Sequence, residues 1–211
     1  MRASFSAALA ATALATFGAV PAHAFDLGIP SSFRGFRIEG NVGGDRWQAL
    51  GNHNDKFGYG GTIGFDGVFA DRFVVGAEGS FWRANNYTEN CAGGLNGGTV
   101  CDKSFEEYGS AIRAGVLVTP KLLVFGKGGL AVNEQRKRFD PSSNLFYVNG
   151  QVVGPEQPYY RHENFYGFQA GGGVEYSITP MFYGDVQYVY SNFDTHTIRQ
   201  RVMAGVGVRF K

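Results

Sequence analysis

After residue 25 the sequence holds no run approaching the 18 or so apolar residues that a membrane-crossing helix needs, so helical spans are excluded. That absence leaves strands untouched, because a barrel strand crosses in about 9–11 alternating residues. Charge of one sign is missing too: 19 Lys+Arg stand against 18 Asp+Glu, which leaves no large field to attract nucleic acid. Cysteine is reduced to Cys91 and Cys101, too few for a zinc-ribbon site. Both lie in one Gly/Asn-rich segment, and in an exported chain they are expected to pair as a disulfide closing a small surface loop. No Gly-X-Y period runs through the 32 glycines, which excludes collagen, and 15% aromatic residues argue against disorder. Pairs such as Gly43-Gly44 and Gly128-Gly129 do not sit between a strand and a helix, so nucleotide binding is unsupported.

What is present begins with an export signal. Arg2 supplies a positive start, Ala3 to Val20 is a largely apolar run, and Ala22-His23-Ala24 has the small-x-small pattern of a cleavage site. The run is weakly hydrophobic and a cleavage pattern follows at once, which favours a signal peptide over an anchoring helix. Residues 1–24 are therefore expected to be removed, leaving 25–211 as one domain.

The closing stretch sets the architecture. Val202, Ala204, Val206, Val208 and Phe210 share one face of an extended strand, and Arg201, Met203, Gly205, Gly207 and Arg209 share the other. The sequence ends within one residue of this strand, so its second edge is expected to pair with the first strand and close a barrel. Alternation of the same kind marks residues 34–45, 57–65, 73–82, 105–118, 122–133, 165–178 and 182–191. Thr119-Pro120-Lys121 and Thr179-Pro180-Met181 read as tight turns. The expectation is all-β: an eight-stranded antiparallel up-and-down transmembrane barrel, with residues 46–56, 83–103, 134–164 and 192–197 as outer loops.

Either face of an alternating strand could point inward, and a soluble ligand-binding barrel would bury the apolar one. Glycine placement decides for lipid. Gly58, Gly60, Gly64, Gly109, Gly115, Gly171, Gly173, Gly205 and Gly207 share faces with Glu78, Arg113, Glu175, Arg201 and Arg209. In so narrow a bore, small residues make room for long charged ones. The other face carries Phe57, Tyr59, Tyr108, Phe168, Tyr188, Tyr190 and Phe210, which suit lipid and interfacial girdles. An Arg or Lys facing mid-bilayer costs about 2–4 kcal/mol. Arg37, Arg113, Lys127, Arg201 and Arg209 are therefore expected inside, paired with Glu39, Glu78, Glu175 and Asp185 in a plugged lumen.

Several stretches together resemble the small outer-membrane β-barrel family of Gram-negative bacteria, in particular the OmpA-like, porin-family proteins of alphaproteobacteria (the RopB type). They are Phe73-Val74-Val75-Gly76-Ala77-Glu78-Gly79, Ala111-Ile112-Arg113-Ala114-Gly115, Gly126-Lys127-Gly128-Gly129-Leu130-Ala131 and Gly171-Gly172-Gly173-Val174-Glu175-Tyr176, with Val202-Met203-Ala204-Gly205-Val206 and Phe210 closing the chain. The resemblance implies a bacterial outer-membrane location among lipid and lipopolysaccharide. It implies periplasmic chaperones and the barrel-insertion machinery as partners, with Phe210 as the aromatic assembly signal, here followed by Lys211. It also implies an envelope-structural role or a narrow pore for small solutes. A monomer without cofactor or metal is expected.

Two other readings compete. External loops 83–103 and 134–164 could capture a ligand or a surface, and the basic run Arg136-Lys137-Arg138 could meet lipopolysaccharide phosphates, although a solvated loop is the favoured account of that run. A lipid A deacylase would need a serine two residues after its histidine. In His162-Glu163-Asn164 that place is held by Asn164, so no nucleophile is at hand and no enzyme is expected. His53 and His196 fall in expected loops without metal-ligand spacing.

Overall fold

Leu50 and Gly51 both take positive φ, 55° and 75°, as the two central residues of a tight hairpin turn require. They join β1 (Gly35–Ala49) to β2 (Asn52–Phe69), with Ala49 directly opposite Asn52. This turn overturns the expectation of a loop over residues 46–56. Polar residues there obscure the alternation, but a strand that has left the membrane meets water on its outer face and needs no apolar stripe. The structure, a computed structural model, describes residues 31–94, 97–142, 146–149, 151–153, 157–194 and 197–210. The expected signal peptide with Ala22 and Ala24, together with His196 and Lys211, lies outside the described residues.

The remaining strands are β3 (Phe73–Ala84), β4 (Thr88–Gly93), β5 (Thr99–Thr119), β6 (Leu122–Asp140), β7 (Phe146–Val148), β8 (Gln151–Val153), β9 (Tyr159–Ser177), β10 (Phe182–Phe193) and β11 (Thr197–Phe210). Eight of them close a ring in the order β1-β2-β3-β5-β6-β9-β10-β11, each pair antiparallel, with β11 returning to β1. The seam between β1 and β11 is long and regular, from Phe36 opposite Phe210 to Gln48 opposite Ile198. Closure leaves the ring without a free edge. A short 3-10 turn, Ser31–Phe33, precedes β1 and tucks Phe33 into the ring's lower mouth, fully buried.

Short turns lie at one end. Ala70 and Asp71 take positive φ between β2 and β3. Thr119 Oγ1 accepts the Lys121 amide at 3.3 Å, and Thr179 Oγ1 accepts the Phe182 amide at 2.9 Å, so each Thr-Pro turn is held by its own hydroxyl. At the other end the strands overshoot. β5 has 21 residues and β6 and β9 have 19 each, about twice what a crossing needs. The expected loops 83–103 and 134–164 are thus partly ladder, and β10 runs on to Phe193 within the expected loop 192–197. Beyond β3, β4 takes over the same edge of β5, from Thr88 opposite Ser104 to Gly93 opposite Thr99. A register shift in the β5–β6 ladder between Ser104 and Glu107 marks that handover.

Exposed apolar side chains form a belt on the outer wall, among them Phe57, Ile63, Phe65, Tyr108, Ile112, Phe168, Val174 and Val206. On β5 the belt covers Tyr108 to Val118, so residues 99–106 project past it. The opposite parity on the same strands is buried.

Candidate functional site: the lumen

Period-two alternation sends every second side chain of eight strands into one bore, and the bore is layered. Lowest is an apolar plug of Phe33, Val74, Leu117, Leu123 and Phe125. Above it lies an ion network built from seven strands of the ring and hydrogen-bonded to the eighth, β10. Asp66 on β2 is its hub: Arg37 Nε lies 3.2 Å, Arg113 Nε 3.1 Å and Arg209 Nη2 2.9 Å from its carboxylate. Glu78 on β3 takes Arg37 and, at 2.7 Å, Lys127 Nζ from β6. Glu175 on β9 takes Arg113 Nη2 at 2.8 Å and Arg209 Nη2 at 2.9 Å. Glu39 on β1 lies 3.4 Å from Arg37 Nη1 and accepts Tyr183 Oη at 2.9 Å and Gln187 Nε2 at 3.2 Å, both from β10.

A second apolar layer, Trp82 with Val189 and Met203, closes the bore above that network. Over it sits a smaller cluster in which Arg199 reaches Asp45 at 2.9 Å and Glu107 at 3.3 Å, and Arg201 Nη2 reaches Glu107 at 2.7 Å. Trp82 Nε1 donates to Asp45 Oδ2 at 3.1 Å, tying layer to cluster. Trp47, Ala49, Ala131 and Phe193 cap the stack. Such pairs lose solvation on burial, so their net contribution to stability is small, but removing one partner strands the other.

Arg37, Glu39, Glu78, Arg113, Lys127, Glu175, Asp185, Arg201 and Arg209 are all buried in this bore. Ion pairs join all of them except Asp185, whose surroundings differ and are taken up below. Sequence reasoning missed Asp66, Arg199 and Tyr183, while Asp45 and Glu107 fall on the charged faces of their strands by the same alternation and are absent only from the expected lumen charges. Asp66 keeps the parity of Gly64 and was lost only because the second strand was expected to end at Phe65. The large aromatics Trp47, Trp82 and Tyr183 also point inward, against the expectation that bulky rings face lipid. Glycine makes this possible: a Cβ at Gly58 would come 2.5 Å from Trp82 Cζ2, and one at Gly207 would overlap the Tyr183 ring.

Outside the belt, Cys91 and Cys101 face each other across β4 and β5 as a disulfide. Phe210 is exposed on the outer wall, its ring 6.4 Å from that of Phe36. Within the basic run, Arg136 Nη2 donates to Glu89 at 2.9 Å, Arg138 pairs with Asp140 at 2.9 Å, and Lys137 turns toward Asp102 at 3.8 Å. His162 Nε2 lies 2.8 Å from Glu134 Oε1, with its ring 4.9 Å from that of Phe105. His53 is exposed. Among the described residues no three His, Cys, Asp or Glu side chains are grouped as metal ligands.

A closed ring of eight antiparallel strands, apolar outside and charged inside, is the architecture of a membrane barrel. Residues 10–210 match the family described as outer membrane protein beta-barrel domain. The chain belongs to that family. Its place is the bacterial outer membrane, with lipid and lipopolysaccharide around its belt. The short turns then face the periplasm and the long strand extensions face outward. Among solved structures the fold is similar to Ail, the attachment invasion locus protein of Yersinia pestis, in complex with the heparin analogue sucrose octasulfate. That likeness is 18% in sequence identity with a TM-score of 0.51, over 84% of this chain and 99% of Ail. It is similar as well to Neisserial surface protein A, at 13% identity and a TM-score of 0.51, over 83% of this chain and 97% of the other. At these identities the likeness concerns the fold. No curated protein matches the chain.

Proposed function

We propose that this barrel is a closed, non-catalytic structural element of the outer membrane and does not serve as a diffusion pore. The observation that carries this reading is the ion network that draws on seven strands of the ring and is hydrogen-bonded to the eighth, β10, with apolar layers below and above it. A solute would have to part buried ion pairs and displace Trp82 and Phe33 in turn. Phe210, exposed at the end of β11, is the aromatic offered to the insertion machinery. Planar-bilayer recordings on the refolded protein test the reading. No sustained conductance steps are expected, and steady openings at constant voltage would overturn it. A strain lacking the protein is expected to become more sensitive to detergent, and unchanged sensitivity would remove the envelope role.

A second reading concerns the outer extensions. Arg83 and Lys103 lie over the Tyr87 ring, and Arg136 lies over Tyr160, which forms a face of cations and rings above the belt. Such a face suits sulfated or phosphorylated glycans, and Ail was solved with a heparin analogue. Retention on immobilised heparin, lost in a Lys103→Glu/Arg136→Glu variant, would support it. Equal elution of both proteins would end it.

A further inference from the structure

Asp185 stands apart in the lumen. It is nine-tenths buried, yet neither carboxylate oxygen has a hydrogen-bond partner among the described residues. The other six lumen carboxylates, Glu39, Asp45, Asp66, Glu78, Glu107 and Glu175, each have an Arg or Lys within 4.0 Å. Seven carboxylates with Asp185 included thus face six cations, Arg37, Arg113, Lys127, Arg199, Arg201 and Arg209. The bore is one positive charge short, and the acid left over is the one with bare oxygens.

Lys127 and Arg113 act on Asp185 electrostatically from beyond ion-pair distance, and the groups that meet it over Gly205 are acceptors. Asp185 and Gly205 are directly opposed on β10 and β11, and Gly205 is opposed on its other side by Asn41 of β1. A Cβ at Gly205 would run into Asp185 Oδ1 while lying 2.6 Å from Asn41 Oδ1 and 3.1 Å from Glu39 Oε1. Three oxygens from two strands, β10 and β1, therefore converge over this glycine of β11. Asn41 gives its amide nitrogen to Thr62 Oγ1 at 3.0 Å, which turns its own unpartnered oxygen toward Asp185. Gln187 gives its nitrogen to Glu39 Oε1 at 3.2 Å, and its oxygen is also bare. Turning the Asn41 amide over would offer one donor to Asp185 and leave Oδ2 without any.

We infer that Asp185, Glu39 and Asn41 form an oxygen-donor site in the barrel lumen for one small hard cation of the calcium class. Two carboxylates and an amide carbonyl are donor types such ions take, with no imidazole or thiolate to favour a transition metal. The cation would supply the missing charge and link β1 to β10 across Gly205 of β11, the strand that lies between them at the closing seam.

The protein is refolded into lipopolysaccharide-free detergent micelles with terbium present, so that the ion enters before the ring closes. Terbium emission excited through tyrosine reports the site, since Tyr183 Oη lies 2.9 Å from Glu39 Oε2. The expected result is a saturable signal displaced by calcium, weakened at least about tenfold in Asp185→Asn by loss of a ligand charge. Heat-modifiable gel migration shows that the variant has folded. Should Asp185→Asn not fold, Asn41→Asp is read instead. It tightens a cation site by adding charge, and it abolishes the signal if the amide serves as a donor to Asp185. A saturable signal equal in wild type and Asp185→Asn, or none in folded wild type, would overturn the inference and leave Asp185 carrying a proton.

Discussion

Arg199 and Asp45 stand 154 positions apart in sequence, yet Arg199 Nε donates to Asp45 Oδ1 at 3.0 Å across the seam that closes the ring. The pair lies beneath the Trp47 and Phe193 cap and is fully screened from water. Removing one member leaves the other charged and buried, which costs about 3–5 kcal/mol. Asp45→Asn and Arg199→Met should each lower the urea unfolding free energy of the micelle-refolded protein by that order. The double variant should lose less than the sum, because no stranded charge remains. Strict additivity would show that the two groups do not act on each other.

The outer wall makes the opposite demand. Ile112 is 66% exposed within the apolar belt, between Tyr108 and Val118 on β5. Ile112→Arg puts a charge against hydrocarbon near mid-bilayer and should cost about 2–4 kcal/mol in lipid vesicles. Arg113, one residue along, is already a buried arginine paired with Glu175. Arginine at 112 without a measurable loss of stability in vesicles would mean that this wall does not face lipid.

That contrast between neighbours is why so much of the fold is legible in the sequence. A strand has a period of two, so Ile112 and Arg113 must face opposite ways, and the same rule sorts Val206 from Gly205 and Val174 from Glu175. Eight such stretches, three of the joins between them short, give the ring and its closing pair. The rule weakens where its cause ends. Past the belt neither face of a strand needs to be apolar, so residues 52–56 and 159–164 carry no alternation although each is paired along one edge, to β1 and to β6. β4 is short and lacks an apolar stripe, so nothing in Thr88–Gly93 announces it. Inward Trp82 and Tyr183 were hidden for a different reason. Whether a large ring fits inside depends on glycines of neighbouring strands, Gly58 and Gly207, and that pairing exists only once the register is set. The lumen acids could be listed, but which of them would lack a partner could not.

The disulfide should act locally. Cys91 and Cys101 are 10 residues apart and tie β4 to β5 beyond the belt, where no part of the ring depends on them. Closing a loop of this size stabilises by about 2–4 kcal/mol. In a Cys91→Ser/Cys101→Ser variant, protease should cut the segment between β3 and β5 readily, while heat-modifiable migration of the barrel stays as in wild type. Loss of the folded gel band would instead make the bridge a condition for closing the ring.

Beside that bridge, Asp102 gives the outer extension a pH dependence. It lies on β5 past Tyr108, buried, and loss of solvation pushes its carboxyl up to about 6, against the pull of Lys137 Nζ at 3.8 Å. An aspartate in the unfolded chain titrates near 3.9, so between about pH 4 and 6 the folded protein keeps a proton that the unfolded chain has released. Stability from this group is therefore greatest at the acid end of that window and is lost as pH rises through it. Above the window the wild type is left with a buried carboxylate held by a single lysine. Asp102→Asn removes the titration. Its unfolding midpoint should show a shallower fall than wild type from pH 4 to 6, and its β4–β5 segment should resist protease better at pH 7. Parallel profiles for the two proteins would place the pH dependence elsewhere in the chain.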